Sequence, residues 1–544
     1  MTTFLLGIVV LLGGGLLYGK FCEHVFGPDD RETPAYYKAD GVDYVPMKTW
    51  KNSLINLLNI AGTGPILGPI QGILFGPIAF ITIPIGNIIG GAMHDYFCGM
   101  ICTRDGGTQM PEMIRRYTNK GVVVVYRIFL CILLLLVGAV FVYTPGDIAA
   151  TQLFHFSGDA HATSTWIIYA VIFAYYLIAT VFPIDKIIGR IYPIFGAVLL
   201  FSTVGIFVMT LVKGLPIANV WDSWNTATFA YGDYFFARGQ FSGMGHFVPI
   251  FFVTVSCGIL SGFHSTQTAL VSRTMKSEKN GRMTFYNMMI LEGFIAMVWA
   301  AATMGMIGIT AKNGGISMGW NPDGTLGYFA KVNGTIQAVA PTSVVGVVCR
   351  YCLGSVGSIV ALLGVIVLPI TSGDTALRAL RLTVAESFHI KQEKGIQRVL
   401  LSLPIFVLAA LILVWSKFDS NGFQTLWNYF AWSNQTLALF ALPCIAIYLA
   451  EHKKARFMWM PMIPAFFYGL VCSTWICQAK IGFHMSWTAS YAVGFTFAVL
   501  YCGLIIYQSL KGRKKTLLGG GDAGGVGGVG AGGSVSVSAE ASAE

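Results

Sequence analysis

Chemically capable side chains are scarce inside the apolar runs of this chain, which makes the few that occur there informative. His264 stands in "SCGILSGFHSTQTAL", followed by Ser265, Thr266, Gln267 and Thr268. Its imidazole can bind a carboxylate or carry a proton near neutral pH. His94 and Asp95 adjoin in "HDYFCGM", and Glu292 and Arg350 also fall within apolar runs. If those runs cross a membrane, each ionisable group in them is costly enough to be a functional hypothesis by default. Neighbouring helical residues point about 100° apart, so His94 and Asp95 are expected not to pair directly. Each is expected instead to meet basic loop residues such as Arg104, as an inner gate or a loop anchor. Glu292 and Arg350 need partners or water, and the sequence assigns neither.

A second stretch carries backbone rather than side-chain chemistry. "NIAGTGPILGP", residues 59–69, is strongly apolar, yet Gly62, Gly64, Pro65, Gly68 and Pro69 oppose helix. Unpaired backbone at membrane depth is tolerated only where protein or a wet cavity supplies partners. The spacing predicts a half-helix ending near Ala61, a break over Gly62 to Gly64, and a second half-helix opening with Pro65, where a missing N–H is harmless. Carbonyl groups of one half can then hold a cation, and N–H groups of the other an anion. The alternative is that Gly and Pro only allow close packing between helices. Gly258 and Gly262 interrupt the run around His264 in the same way. The backbone of Gly62 and Gly64, with Asn56, Asn59, Thr63 and Gln71, is expected to line a site opposite Ser261, His264, Ser265 and Gln267. Asn56 and Asn59 share one helix face at three-residue spacing.

The elements that must hold these residues are helices in a bilayer. Of 544 residues, 55% are hydrophobic and only 11% charged, far from the soluble average. Apolar runs long enough to cross a hydrocarbon core recur along the chain. Continuous runs such as "VVVVYRIFLCILLLLVGAVFV" exclude the short alternating segments of a transmembrane barrel. Thirteen segments are predicted, at 3–19, 53–72, 74–102, 121–143, 165–183, 188–212, 246–269, 285–309, 342–371, 398–416, 426–450, 459–479 and 486–509. The first lacks the basic start and small-residue cleavage site of a signal peptide, so it reads as an uncleaved helix. Eleven cysteines, mostly within apolar runs, show no disulfide framework. Cys349 and Cys352 form a lone C-x-x-C without the further ligands of a zinc site, and no metal or cofactor is expected. Residues 1–515 read as one transmembrane domain, and 516–544 as a disordered low-complexity tail.

Orientation follows from charge, because lysine and arginine concentrate on the cytoplasmic side. Alternate connections hold 28 of the 35, which puts the N-terminus outside and the C-terminus in the cytoplasm. The net charge of +10 then belongs to loops beside anionic lipid rather than to a nucleic-acid surface. On this count the two broken segments, second and seventh, enter the bilayer from opposite sides and lie five helices apart. An inverted repeat of five plus five helices has that signature, with the first helix of each half discontinuous. The repeats are expected at about 53–213 and 246–450, with segments one, twelve and thirteen as additions. The arrangement resembles the LeuT scaffold, in which a cation commonly sits between the first broken helix and the eighth. Here that implies Ala61 facing Thr371, Ser372 and Asp374 in "LPITSGDTAL", oxygen donors suited to sodium. Asp374 can also act as a helix-end or proton-handling group, and the hydroxyls can bond their own helix.

"GVDYVPMKTW", "NIAGTGPILGP", "HDYFCGM", "RDGG" and "SCGILSGFH" occur in this order over roughly residues 36–480. Together they resemble the carbon starvation protein family, CstA. The resemblance implies a multi-pass transporter of the bacterial inner membrane, taking up short peptides, with relatives that carry pyruvate. A proton or sodium ion is the expected coupling ion. No G-x-x-x-x-G-K-[ST] loop offers nucleotide drive, and no H-E-x-x-H offers a metalloenzyme. A small-carboxylate symporter is the nearest alternative, and a channel or nutrient sensor a more distant one.

Overall fold

The helices follow the apolar runs, and their interruptions follow glycine and proline. A computed structural model of the protein describes residues 1–41, 43–181, 185–222, 242–310, 315–320, 326–332, 334–390, 395–419 and 421–518. The expected disordered tail lies outside the described residues from 519 onward. α1 is Thr2–Phe26, and α2 (Thr49–Ile60) and α3 (Gly64–Gly72) are the halves of the first broken span, bent by 48°. α4 covers 79–104, with a π-helical stretch at Asn87–Ala92. The short α5 (Met110–Tyr117) leads into α6 (Lys120–Leu153), capped where Asn119 Oδ1 accepts the Val122 N–H at 3.1 Å. α7 (Thr163–Val181) and α8 (Asp185–Val212) follow.

The second broken span consists of α9 (Ser242–Thr254), the single turn α10 (Ser256–Ile259) and α11 (Gly262–Ser272). After it come α12 (Glu278–Thr310), α13 (Pro341–Ser387), α14 (Gly395–Phe418), α15 (Gly422–Glu451), α16 (Trp459–Gln478) and α17 (Trp487–Leu518). Among the described residues nine helices are long and apolar enough to cross a membrane, or ten with the bent pair. Length and composition therefore do not establish thirteen spans. The segments at 79–104, 163–181 and 242–272 are helical but interrupted or short.

Burial separates centre from periphery. The most apolar windows of α12 and α15 are 89% and 94% buried, whereas those of α14 and α17 are 33% and 28% buried and lie at the periphery. Two groups of helices pack internally. α2, α3, α4, α10, α11 and α12 form one, and α6, α7, α13 and α14 the other, with α15 against both.

Two connections differ from expectation. α13 does not end near Thr371 but runs to Ser387, bent at Gly354, where φ of +70° needs the glycine. The bend divides its 47 residues into two helical stretches, and the longer, after Gly354, extends about 50 Å at 1.5 Å per residue, more than a hydrocarbon core needs. Thr371 to Asp374 consequently lie within the helix rather than at its end. The apolar run stops near Thr371, but Tyr175 OH donates to Asp374 at 2.7 Å, so the helix continues past a paired carboxylate. The connector between α12 and α13 is a three-stranded antiparallel sheet of β1 (Ser317–Trp320), β2 (Leu326–Val332) and β3 (Thr335–Val339). It pairs Met318 with Tyr328 and Tyr328 with Val339. Tyr328 is buried, and its hydroxyl donates to Ile70 O of α3, seating the sheet on the first broken span. In the connection between α8 and α9, residues 223–241 lie outside the described residues.

Candidate functional site

The two interruptions are built by different local means and converge on one place. Ala61 leaves the helical region at φ −85°, ψ 58°, Gly62 N–H returns to Ile60 O at 3.0 Å, and α3 starts after Thr63 with Pro65 in its first turn. In the second span Leu260 and Ser261 are extended, at φ −152° and −126°, before α11 begins at Gly262. A Cβ on Gly64 would stand 2.3 Å from Cys257 Cβ, so the breaks touch with no room for a side chain.

Two buried amides stabilise the interrupted backbone. Asn434 of α15 accepts at Oδ1 from Phe263 N–H (2.8 Å) and Ser261 Oγ (3.0 Å), and its Nδ2 donates to Cys257 Sγ at 3.3 Å. Asn87 of α4 donates through Nδ2 to Gly258 O and Met289 O, both at 3.0 Å. Sequence reasoning missed both residues, although an asparagine within an apolar run is a usable signal, since a buried polar group needs a partner.

A narrow cavity lies between the breaks. Asn59, Gly62, Gly64, Cys257 and Ser261 line it together with Phe141 of α6 and Asn434 of α15. It has room for about one water molecule, so the site is closed tightly around the breaks in this conformation. Of the residues expected there, Thr63 is buried beside the break but outside the lining. Asn56 donates to Thr284 O at 2.8 Å and tethers α2 to the start of α12. Gln71 bonds Leu67 O (3.2 Å), Ser265 bonds Gly262 O (2.7 Å) and Gln267 bonds Thr266 Oγ1 (2.9 Å), each within its own helix. Thr371 and Ser372 both donate to Leu368 O, at 2.8 and 3.2 Å. Phe141 stands between these and Ala61, with its ring 3.1 Å from the Cβ position of Gly62 and its own Cβ 3.1 Å from that of Gly373.

Beside the cavity lies a second feature that the sequence reading did not assemble. His94 and Asp95 pair after all, Nδ1 to Oδ1 at 2.9 Å. The 100° offset of neighbours on a helix separates their Cβ atoms by a distance that an imidazole and a carboxylate can bridge. The other Asp95 oxygen meets His264 Nδ1 at 2.8 Å. His264 Nε2 faces Glu292 Oε2 at 3.5 Å, an ion-pair distance without hydrogen-bond geometry. His264 thus points away from the cavity lining and into a buried cluster spanning α4, α11 and α12.

Arg104 belongs to neither feature, which corrects its expected contact with His94 or Asp95. It bonds Glu278 Oε2 at 3.0 Å, Tyr448 OH at 2.8 Å and Gly27 O at 2.7 Å, and lies over the Phe26 ring. It clamps the ends of α1, α4, α12 and α15 on the basic face. Just beyond α4, burial pushes the Asp105 carboxyl upward, and Arg116 opposes that shift. On the opposite side, Lys417 of α14 meets Asp147 of α6 at 2.7 Å, both buried, and Thr342 Oγ1 donates to the other Asp147 oxygen at 2.5 Å.

The geometry describes paired discontinuous helices, and comparison with known proteins gives it a context. A family model described as carbon starvation protein CstA matches residues 1–151, 142–313 and 330–475. The chain belongs to the carbon starvation protein CstA family. An uncharacterized membrane protein of Haemophilus influenzae is 42% identical over 55% of this chain and 89% of its own. The peptide transporter CstA of Escherichia coli is 24% identical over 86% of this chain and 78% of its own. The pyruvate/proton symporter BtsT of the same organism is 22% identical over 83% and 77%. Among solved structures, a manganese transporter of Eremococcus coleocola superposes with a TM-score of 0.54 over 86% of this chain and 94% of that one. At 11% identity this likeness bears on the fold alone, and the fold is the LeuT-like arrangement expected from the two breaks. This CstA-family chain is a multi-pass helical membrane protein.

Proposed function

We propose that the protein is a secondary active transporter of the bacterial inner membrane, not an enzyme, and that it carries short peptides inward by alternating access. The observation that supports this best is the contact of the two breaks, with Gly64 against Cys257 around a closed cavity. Half-helices that meet in this way present N–H ends to a carboxylate and carbonyl ends to an ammonium group, the two charges of a peptide. The two helix groups supply the parts for rocking, with the cavity between them. The repeats at about 53–213 and 246–450 exchange roles as the site opens to one face and then the other. The distribution of lysine and arginine supports an outer N-terminus and a cytoplasmic C-terminus.

Either a proton or a sodium gradient can drive such a cycle. The sodium reading draws on Ala61, Thr371, Ser372 and Asp374. The two hydroxyls bond Leu368 O and Asp374 accepts from Tyr175 and Thr375, so this donor set is engaged elsewhere in the closed conformation. That observation favours the proton.

A small carboxylate such as pyruvate is the second reading, favoured by the size of the void, which needs less opening for pyruvate than for a peptide. Purified protein in liposomes decides between them. Labelled dialanine and pyruvate are followed under an inward proton gradient, an inward sodium gradient, or neither, with each compound competing against the other. Dialanine accumulation that excess pyruvate does not suppress is the expected result. Absence of accumulation of both under every condition refutes the transporter reading.

A further inference from the structure

The cavity accounts for the broken backbone but not for the four ionisable side chains buried beside it. His94, Asp95, His264 and Glu292 are each at most 2% exposed. Other deeply placed carboxylates have a basic partner: Asp147 has Lys417 at 2.7 Å, and Glu278 has Arg104 at 3.0 Å. Among the described residues the basic partners of Asp95 are the two imidazoles, and that of Glu292 is His264. Three buried atoms stay open to a further proton, since His94 Nε2 and both Glu292 oxygens have no hydrogen-bond partner.

Charge counting shows what this arrangement requires. With both imidazoles neutral, two carboxylates leave two negative charges in a water-poor interior, and each proton taken up cancels one. Uncompensated charge at such depth is heavily penalised. The closed cluster is therefore stable when protonated, and it must meet water before it releases a proton. Its titratable neighbours do not change this count. Cys257 of α10 lies within electrostatic reach of Glu292, and Cys98 of α4 within reach of Asp95, with Cys444 of α15 and Tyr126 of α6 near Cys98. Thiols and phenols are neutral over their ordinary range near pH 7.

We infer that the His94–Asp95–His264–Glu292 cluster carries the coupling proton, held between His264 Nε2 and Glu292. The inference rests on the transport reading above and names the ion and the residues that bind it. The step is simple: a proton from water on one side forms an N–H or O–H bond at this pair, and the same bond breaks to water on the other side. Substrate and proton are linked through two short paths. Cys257 lines the cavity and lies within electrostatic reach of Glu292. Ser261 and Phe263 line the cavity, and His264 follows them on the same half-helix. Opening the cavity by moving α11 against α4 and α12 must stretch the 2.8 Å and 3.5 Å contacts of His264 and admit water to the pair.

The test uses the full chain in liposomes containing a trapped pH-sensitive dye, with dialanine and pyruvate as probes. In the unaltered protein, entry of whichever probe is carried should acidify the interior without any imposed gradient. An inward gradient of about one pH unit should drive accumulation of about tenfold. Glu292→Gln and His264→Gln, made separately, should still exchange external for internal labelled substrate, while proton-driven accumulation falls to the level of the bath. Probe entry without acidification in the unaltered protein overturns the inference, and so does full accumulation in both variants. If the unaltered protein neither exchanges nor accumulates either probe, the transport reading itself has failed and the inference falls with it.

Discussion

Gly64→Ala tests whether the two breaks bear on one another, and structure and sequence disagree about its sign. Alanine favours helix over glycine by about 1 kcal/mol, which taken alone would stabilise α3. The added Cβ, however, would stand 2.3 Å from Cys257 Cβ and 2.5 Å from its Sγ. Carbon atoms pack at about 3.5–4.0 Å, so the two spans must move apart by roughly 1 Å at their tightest contact. Overpacking of this kind costs about 1–3 kcal/mol. The steric cost offsets the propensity and at this separation exceeds it, for a net destabilisation of up to about 2 kcal/mol. Gly62→Ala is the internal contrast. Its nearest neighbour is Phe141 Cζ at 3.1 Å, the far end of a ring that can yield by a few tenths of an ångström, so near-neutral stability is expected. The informative partner is residue 257. Cys257→Ala removes sulfur but leaves the Cβ in place, so it should not rescue Gly64→Ala. Cys257→Gly removes both atoms and should rescue it, after allowance for the cost of that glycine measured alone. Thermal melts in detergent and initial uptake rates in liposomes provide the readouts. Equal rescue by the alanine and glycine variants, or a Gly64→Ala protein as stable and active as the unaltered one, would refute the close approach of the breaks.

Three further outcomes follow from named contacts. Asn434→Ala leaves the Phe263 N–H and Ser261 hydroxyl without their acceptor and should lower stability by about 1–3 kcal/mol. The loss is read in the same thermal melt, and an unchanged melt would refute these bonds. Lys417→Met leaves Asp147 buried without its cation, at a cost of about 3–5 kcal/mol, and adding Asp147→Asn should recover much of it; failure of the double variant to recover argues against a charge-pair origin. Tyr328→Phe removes the hydroxyl bond to Ile70 O at about 1 kcal/mol and should speed labelling of Cys257 by a thiol reagent added outside. Unchanged labelling would remove the three-stranded sheet from any gating role.

By itself, the sequence determined the features that are local. Gly62, Gly64 and Pro65 announce a break because backbone freedom and a missing N–H are properties of those residues wherever they stand. Apolar runs announce helices in lipid, and the spacing of the two breaks announces the inverted repeat. Local signals also misled. The close of the apolar run near Thr371 looked like a helix end, and the adjacency of His94 and Asp95 looked like a bar to pairing. Tertiary packing alone decided who meets whom. Asp95 reaches His264 across 169 positions, and Asn434 reaches Phe263 across 171. Glu292, unassigned in sequence, acquires its meaning only when α12 lies against α11. The physical reason is that a backbone interruption is a preference of a few consecutive residues, whereas a buried charge is defined by the atoms that replace its water, and those come from distant parts of the chain.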